Sequence, residues 1–125
     1  MLALFMALMV TADPSGLIAF VAGAGPEEHC VCVMEAASGN VTRLGPGACD
    51  GAPHWSPDGQ WLAFESRNGE GLGIRVAKAD GSEGRALTHQ YEWNRYPRWS
   101  ADSQRLVYSA ASGTVLEHFA VVYDL

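Results

Sequence analysis

A string that recurs at a fixed interval most constrains what this chain can fold into. Pro53-His54-Trp55-Ser56-Pro57-Asp58-Gly59-Gln60-Trp61-Leu62-Ala63-Phe64-Glu65-Ser66 reads as strand, tight turn, strand. It returns over residues 97–110 and, worn down, over 13–22, so that Phe20, Phe64 and Tyr108 stand 44 residues apart. Pro57 arrives with φ preset, Asp58 can bond its own backbone, and Gly59 accepts a left-handed conformation. The predicted loop is a type I turn closed by a left-handed residue. A repeat of this length marks a propeller or a solenoid.

A second β-prone strand follows each copy. Residues 17–20, 61–64 and 105–108 form one set, and 30–35, 74–79 and 118–123 form the next. Gly-containing turns at 37–40 and 80–84 lead to short last strands at 41–44 and 85–88, and the third copy stops before that strand. Four short antiparallel strands per repeat make a propeller blade. Apolar residues on both faces of the middle strands fit a sheet sandwiched between neighbours. No stretch keeps helical periodicity over three turns. The predicted fold is an all-β propeller segment of about three four-stranded antiparallel blades, the last incomplete, with repeats at 13–52, 53–96 and 97–125.

A net charge of −6, with eight scattered Lys and Arg, argues against nucleic acid, whose phosphates need a basic face. Cys30, Cys32 and Cys49 allow at most one intrachain disulfide. Residues 1–12 are nearly all apolar but too short for a bilayer-spanning helix of about 20 residues. They read either as a signal peptide cleaved before Asp13, though without its charged n-region, or as a strand of a preceding or closing blade.

At this point the residues match a family. Pro-x-Trp-Ser-Pro-Asp-Gly-x-x-Leu-Ala-Phe-x-Ser, then Ile74-x-Val76-x-x-Ala79-Asp80-Gly81, then Arg85-x-Leu87-Thr88, closely resembles the TolB-like, WD-repeat-like β-propeller repeat. The second copy carries the whole pattern. The third keeps Pro97, Trp99, Ser100 and Asp102 but has Ala101 and Ser103 for Pro and Gly, and the first lacks the Trp. The resemblance spans about residues 11–125. It implies one of several settings: a periplasmic envelope protein that works through protein partners, the propeller ahead of a prolyl-oligopeptidase hydrolase, or an oligogalacturonate lyase-like enzyme. It also implies a ring larger than three blades, since propellers close with about four to eight. The chain is then expected either to belong to a longer protein or to self-associate and close the ring. In an open arc the bare faces are expected to include Leu17, Ala19 or Val31 at one end and Phe119, Val121 or Tyr123 at the other.

Candidate sites follow from the same register. Asp58 and Asp102, with Asp13 nearby, sit at one end of the blades, either as a cation-attracting ring or, more simply, as caps of their own turns. Trp55 and Trp99 recur with the repeat and read as packing residues, alongside the turn residues Pro57 and Gly59. Cys30 and Cys32 take the places of Ile74 and Val76 and read as small buried hydrophobes. Joined with His29 and Cys49 they outline a zinc site of unusual spacing, and no metal is predicted. His54, Ser56 and Asp58 invite a triad reading, but no Gly-x-Ser-x-Gly elbow exists and no catalytic residue is predicted. The loop 89–96 offers Tyr91, Trp93, Arg95 and Tyr96 as binding residues, because such residue types dominate interaction hot spots.

The expected function is a non-enzymatic scaffold for protein–protein interaction without a cofactor, nucleic-acid partner or membrane span. Its expected place is the periplasm or outside the cell, with the cytoplasm as alternative. The alternative function is the substrate-gating propeller of a prolyl-oligopeptidase-type serine hydrolase, without its catalytic domain.

Overall fold

The computed structural model describes residues 10–13, 15–24, 28–44, 51–68, 71–88, 92–112 and 119–125. Every regular element among them is a strand. β1 (Val10–Ala12), β2 (Leu17–Ala22), β3 (Cys30–Glu35) and β4 (Val41–Arg43) pair in chain order as one antiparallel sheet. The meander repeats in β5 (Gly51–Trp55), β6 (Leu62–Asn68), β7 (Gly71–Ala77) and β8 (Arg85–Ala86). β9 (Glu92–Trp99), β10 (Arg105–Ser112) and β11 (Phe119–Asp124) pair in chain order as a third meander, which a bridge from β9 to β7 joins to the second in one seven-stranded sheet. These are three blades of a propeller.

Alternation along the strands aims the core in two directions. Leu62, Phe64 and Ala77 of the second blade pack with Trp55 against Ala19, Val21, Val31 and Val33 of the first. Ala63, Ile74 and Val76 pack against Trp99, Leu106 and Tyr108 of the third. The middle sheet is therefore buried on both faces, which is why Leu62, Ala63 and Phe64 follow one another as apolar residues in β6 and Ile74, Val76 and Ala77 crowd β7.

This packing corrects the expected bare face. Leu17, Ala19 and Val31 turn inward onto the second blade. By alternation the outward face of the first blade carries Ile18, Phe20, Cys30, Cys32 and Met34. The side chains of Phe119, Val121 and Tyr123 lie outside the described residues. On the outward face of the third blade, Val107 is 39% exposed.

A second difference concerns residues 92–96. Read above as loop, they are strand, and β5 likewise begins ahead of Pro53. Each strand crosses its proline through a bulge. Ala52 and Pro53 together oppose Phe64, while Tyr96 and Pro97 oppose Tyr108. Ala52 and Tyr96 take φ of 47° and 57°. A bulge with a left-handed first residue is a standard interruption of a ladder, and it is one of the few strand positions open to Pro, which has no N–H to donate. The bulged β9 joins the second and third meanders through one parallel bridge, Leu72↔Trp93. Asn94, fully buried, seals that joint by donating from Nδ2 to the Leu72 carbonyl at 3.2 Å.

Phe64 has no exposed surface and sits in the seam between two blades. Phe64→Ala is expected to cost about 3–5 kcal/mol, and Val107→Ala less than about 1 kcal/mol. Equilibrium urea denaturation of the two variants measures the contrast. Equal losses would mean that the seam is not the core.

Candidate functional site

The turns come first, because they set one end of the arc. In the second blade Ser56 N–H donates to the Trp61 carbonyl at 2.8 Å, and Gly59 N–H donates to the Ser56 carbonyl at 2.9 Å. The Ser56 hydroxyl donates to Asp58 Oδ1 at 2.5 Å while accepting Trp61 N–H at 2.9 Å. Asp58 Oδ1 also accepts Gln60 N–H at 3.0 Å. Ser100, Asp102, Gln104 and Arg105 repeat the same bonds in the third blade. The serine hydroxyl, helped by the backbone N–H, holds each of Asp58 and Asp102 below the usual carboxylate range.

The first turn is one residue shorter, and Asp13 takes the place of Ser56. Its backbone N–H donates to Leu17, and its Oδ1 accepts Leu17 N–H at 2.8 Å and Ser15 N–H at 3.0 Å. Neighbouring turns also touch. Asp58 N–H donates to Ser103 Oγ, one blade away, at 3.1 Å. A Cβ added at Gly59 would lie 3.2 Å from Asp13 Oδ2. Among the described residues no group of three or more His, Cys, Asp or Glu converges on a point that could hold a metal ion.

His54 and Ser56 are not a base and its nucleophile. The Ser56 proton is committed to Asp58, and Ser56 is buried inside its own turn. His54 Nδ1 is buried without a partner, and the His54 carbonyl accepts Trp99 Nε1–H at 2.9 Å. Burial, and then the charge of Arg98, lower the His54 pKa from its ordinary value. Trp55 and Trp99 lie in the two inter-blade seams.

The four candidate binding residues divide. Tyr91 lies outside the described residues. Trp93 is 47% exposed, and the Arg95 guanidinium stands over its ring, 5.9 Å from the centroid. Tyr96 is 55% exposed. The bulge breaks alternation, so Arg95 and Tyr96, consecutive in sequence, are both exposed, and Arg98 follows on the same strand. The bulge also removes Tyr96 N–H from the ladder, and Glu65 Oε1 of the second blade accepts it at 2.8 Å. Glu65 was missed as an anchor. Its signal was legible, since the same repeat position holds Val21 and Ser109. Gly51 and Ala52 stand one blade back from Arg95 and Tyr96, so the second blade lacks this face. Stacking surface and guanidinium donors suit it to recognition, not to acid–base work.

Similarity to known proteins agrees with the architecture. No protein-family model matches the chain. It is 32% identical over 87 residues to the uncharacterized protein Atu1656 of Agrobacterium fabrum, covering 68% of this chain and 29% of that protein. It is 36% identical over 62 residues to the uncharacterized peptidase YuxL of Bacillus subtilis, covering 49% of this chain and 9% of that one. The chain thus spans less than a third of the length of these relatives. Among solved structures, it superposes with TM-score 0.76 and 21% identity on a protein assigned as TolB from Agrobacterium tumefaciens, over 96% of this chain and 47% of that one. TolB from Acinetobacter baumannii gives 0.74 at 18% identity, over 96% and 30%. The β-propeller domain of the Trilobed protease from Pyrococcus furiosus gives 0.68 at 18%, over 97% and 45%. The fold is a TolB-like β-propeller arc.

Ser103 holds a φ of 60° while its hydroxyl ties two blades. Ser103→Ala is expected to lose about 0.5–1.5 kcal/mol with the hydrogen bond. Ser103→Gly loses the same bond but relieves about 1 kcal/mol of left-handed strain, so it should stay near wild type. Urea midpoints of the two variants should differ, with Gly higher. Matching midpoints would mean that the left-handed conformation carries no cost.

His54 gives a pH signature. Its folded pKa lies below its unfolded one, so the unfolded chain takes up the proton first. Stability is therefore full above about pH 6.5 and falls as pH drops through it. Asp58 and Asp102, depressed below about 4, act only at lower pH. Wild type should weaken as pH falls below about 6.5, and His54→Gln should show a smaller loss by urea denaturation. An unchanged slope in the variant would remove His54 from the account.

Proposed function

We propose that this chain is a non-enzymatic TolB-like propeller scaffold of the bacterial cell envelope that binds a protein partner through the exposed face of β9. The observation that carries the reading is the trio Trp93, Arg95 and Tyr96. Large amphipathic side chains are presented to solvent by a strand anchored on either side of Arg95, through Asn94 to Leu72 and through the Tyr96 N–H to Glu65. A rigid strand presents them at low entropic cost, which favours binding. The commitment of Ser56 and Asp58 to turn bonds supports a role without catalysis.

The alternative, a substrate-gating propeller in a serine hydrolase, draws on the similarity to YuxL and to the Trilobed protease domain. A Gly-x-Ser-x-Gly elbow encoded beyond Leu125 in the same reading frame would favour it. For the envelope reading, the N-terminal segment matters. Cleavage after Ala12 would remove β1 and leave β2 without its inner neighbour.

Affinity capture from an envelope extract, compared across variants, tests the binding face. A partner retained by wild type and by Val41→Ala should be lost, with affinity reduced at least about tenfold, in Trp93→Ala and Tyr96→Ala. Val41 is an exposed control on the first blade. Equal capture by all four proteins would place recognition away from β9.

A further inference from the structure

The outward face of β3 carries Cys30, Cys32 and Met34, three sulfur side chains at alternate positions. The Cys30 and Cys32 sulfurs are 3.6 Å apart, and Cys30 Sγ reaches the Ala22 carbonyl oxygen at 3.3 Å. Neither thiol is in a disulfide. Both thiols are themselves buried, at 8% and 6% exposure, while Ile18, Phe20, Ala22 and Met34 around them are each partly exposed. One blade on, the same positions hold Ile74 and Val76, both wholly buried in a seam. Cysteine fills such a position as a small hydrophobe, but two sulfurs brought into contact also make a pair of soft donors aimed the same way.

Geometry decides what the pair can hold. Residues two apart on a strand are separated by about 6.6–6.8 Å at Cα, with their Cβ atoms pointing the same way. That is the far limit for a disulfide at Cα and well beyond the Cβ separation of about 3.5–4.5 Å that a disulfide needs. A direct bond would have to break the pairing of Cys32 with Phe20 and Arg43. A bridging ion needs no such break. Two thiolates about 2.3 Å from a shared ion stand at most about 4.6 Å apart, an opening of about 1 Å from the present distance. Zinc prefers four ligands, and among the described residues no third His, Cys, Asp or Glu joins the pair. Soft sulfur ligands select Cu(I).

We infer that Cys30 and Cys32 form a two-thiolate site for a soft monovalent metal ion, with Cu(I) as the ion it selects. Each thiol gives up its proton as its sulfur bonds the ion. Two protons leave, the complex carries one negative charge, and nothing is oxidised or reduced.

The test is competition for Cu(I) held by bicinchoninate, using the full chain under anaerobic, reducing conditions. Wild type should withdraw one equivalent per chain and develop thiolate-to-copper charge-transfer absorption in the ultraviolet. The double variant Cys30→Ile with Cys32→Val takes the side chains of the second blade, so it should keep the urea midpoint of wild type. It should bind copper at least about 100-fold more weakly. Cys49→Ser should bind like wild type. Should the double variant not fold, the single changes Cys30→Ser and Cys32→Ser carry the test, each expected to abolish the absorption. The inference is overturned if wild type leaves the copper on the chelator. It is equally overturned if binding survives loss of Cys30 and Cys32, or disappears with Cys49 alone.

Discussion

Sheet-on-sheet packing through the second blade is the interaction on which the rest depends. Phe64 and Leu62 look one way, Ala63, Ile74 and Val76 the other, and each set meets the face of a different blade. A sheet of four strands this short has no interior of its own. Its apolar area leaves water only when a neighbour covers it, so the blades stabilise one another in sequence. Trp55 and Trp99 occupy the two seams, and their recurrence with the repeat follows from recurring seams.

The turns add polar ties to that apolar stack. Each serine–aspartate pair closes its own loop, which keeps the carboxylate charged well into acid and satisfies backbone donors at the blade tip. Ser103 then reaches across to Asp58, and Asp13 lies against Gly59. The chemistry at this end is consumed by structure. That leaves little for catalysis there and moves attention to the strand with exposed aromatic groups.

That strand owes its character to one irregularity. The bulge at Tyr96 and Pro97 lets β9 run on past its proline, pair with β7, and present Arg95 and Tyr96 to solvent beside Trp93. Glu65 holds the displaced N–H. The second blade has the same bulge at Ala52 but no large side chain to display there, so an identical backbone device presents large side chains in one blade and none in the other.

Much of this was legible from residues alone: the repeat period, the strand–turn–strand unit, the left-handed turn position and the packing tryptophans. These are local properties, fixed by φ preferences and by the two-residue alternation of a strand. What the sequence left open was which of two apolar faces meets which neighbour. Leu17, Ala19 and Val31 look as suited to an outer face as Ile18 and Phe20 do, because a blade in a propeller is apolar on both sides. The tertiary structure decided that, and it decided the bulges, the parallel bridge at Leu72 and the tie from Ser103. Each of these depends on distance between blades, which no local preference encodes.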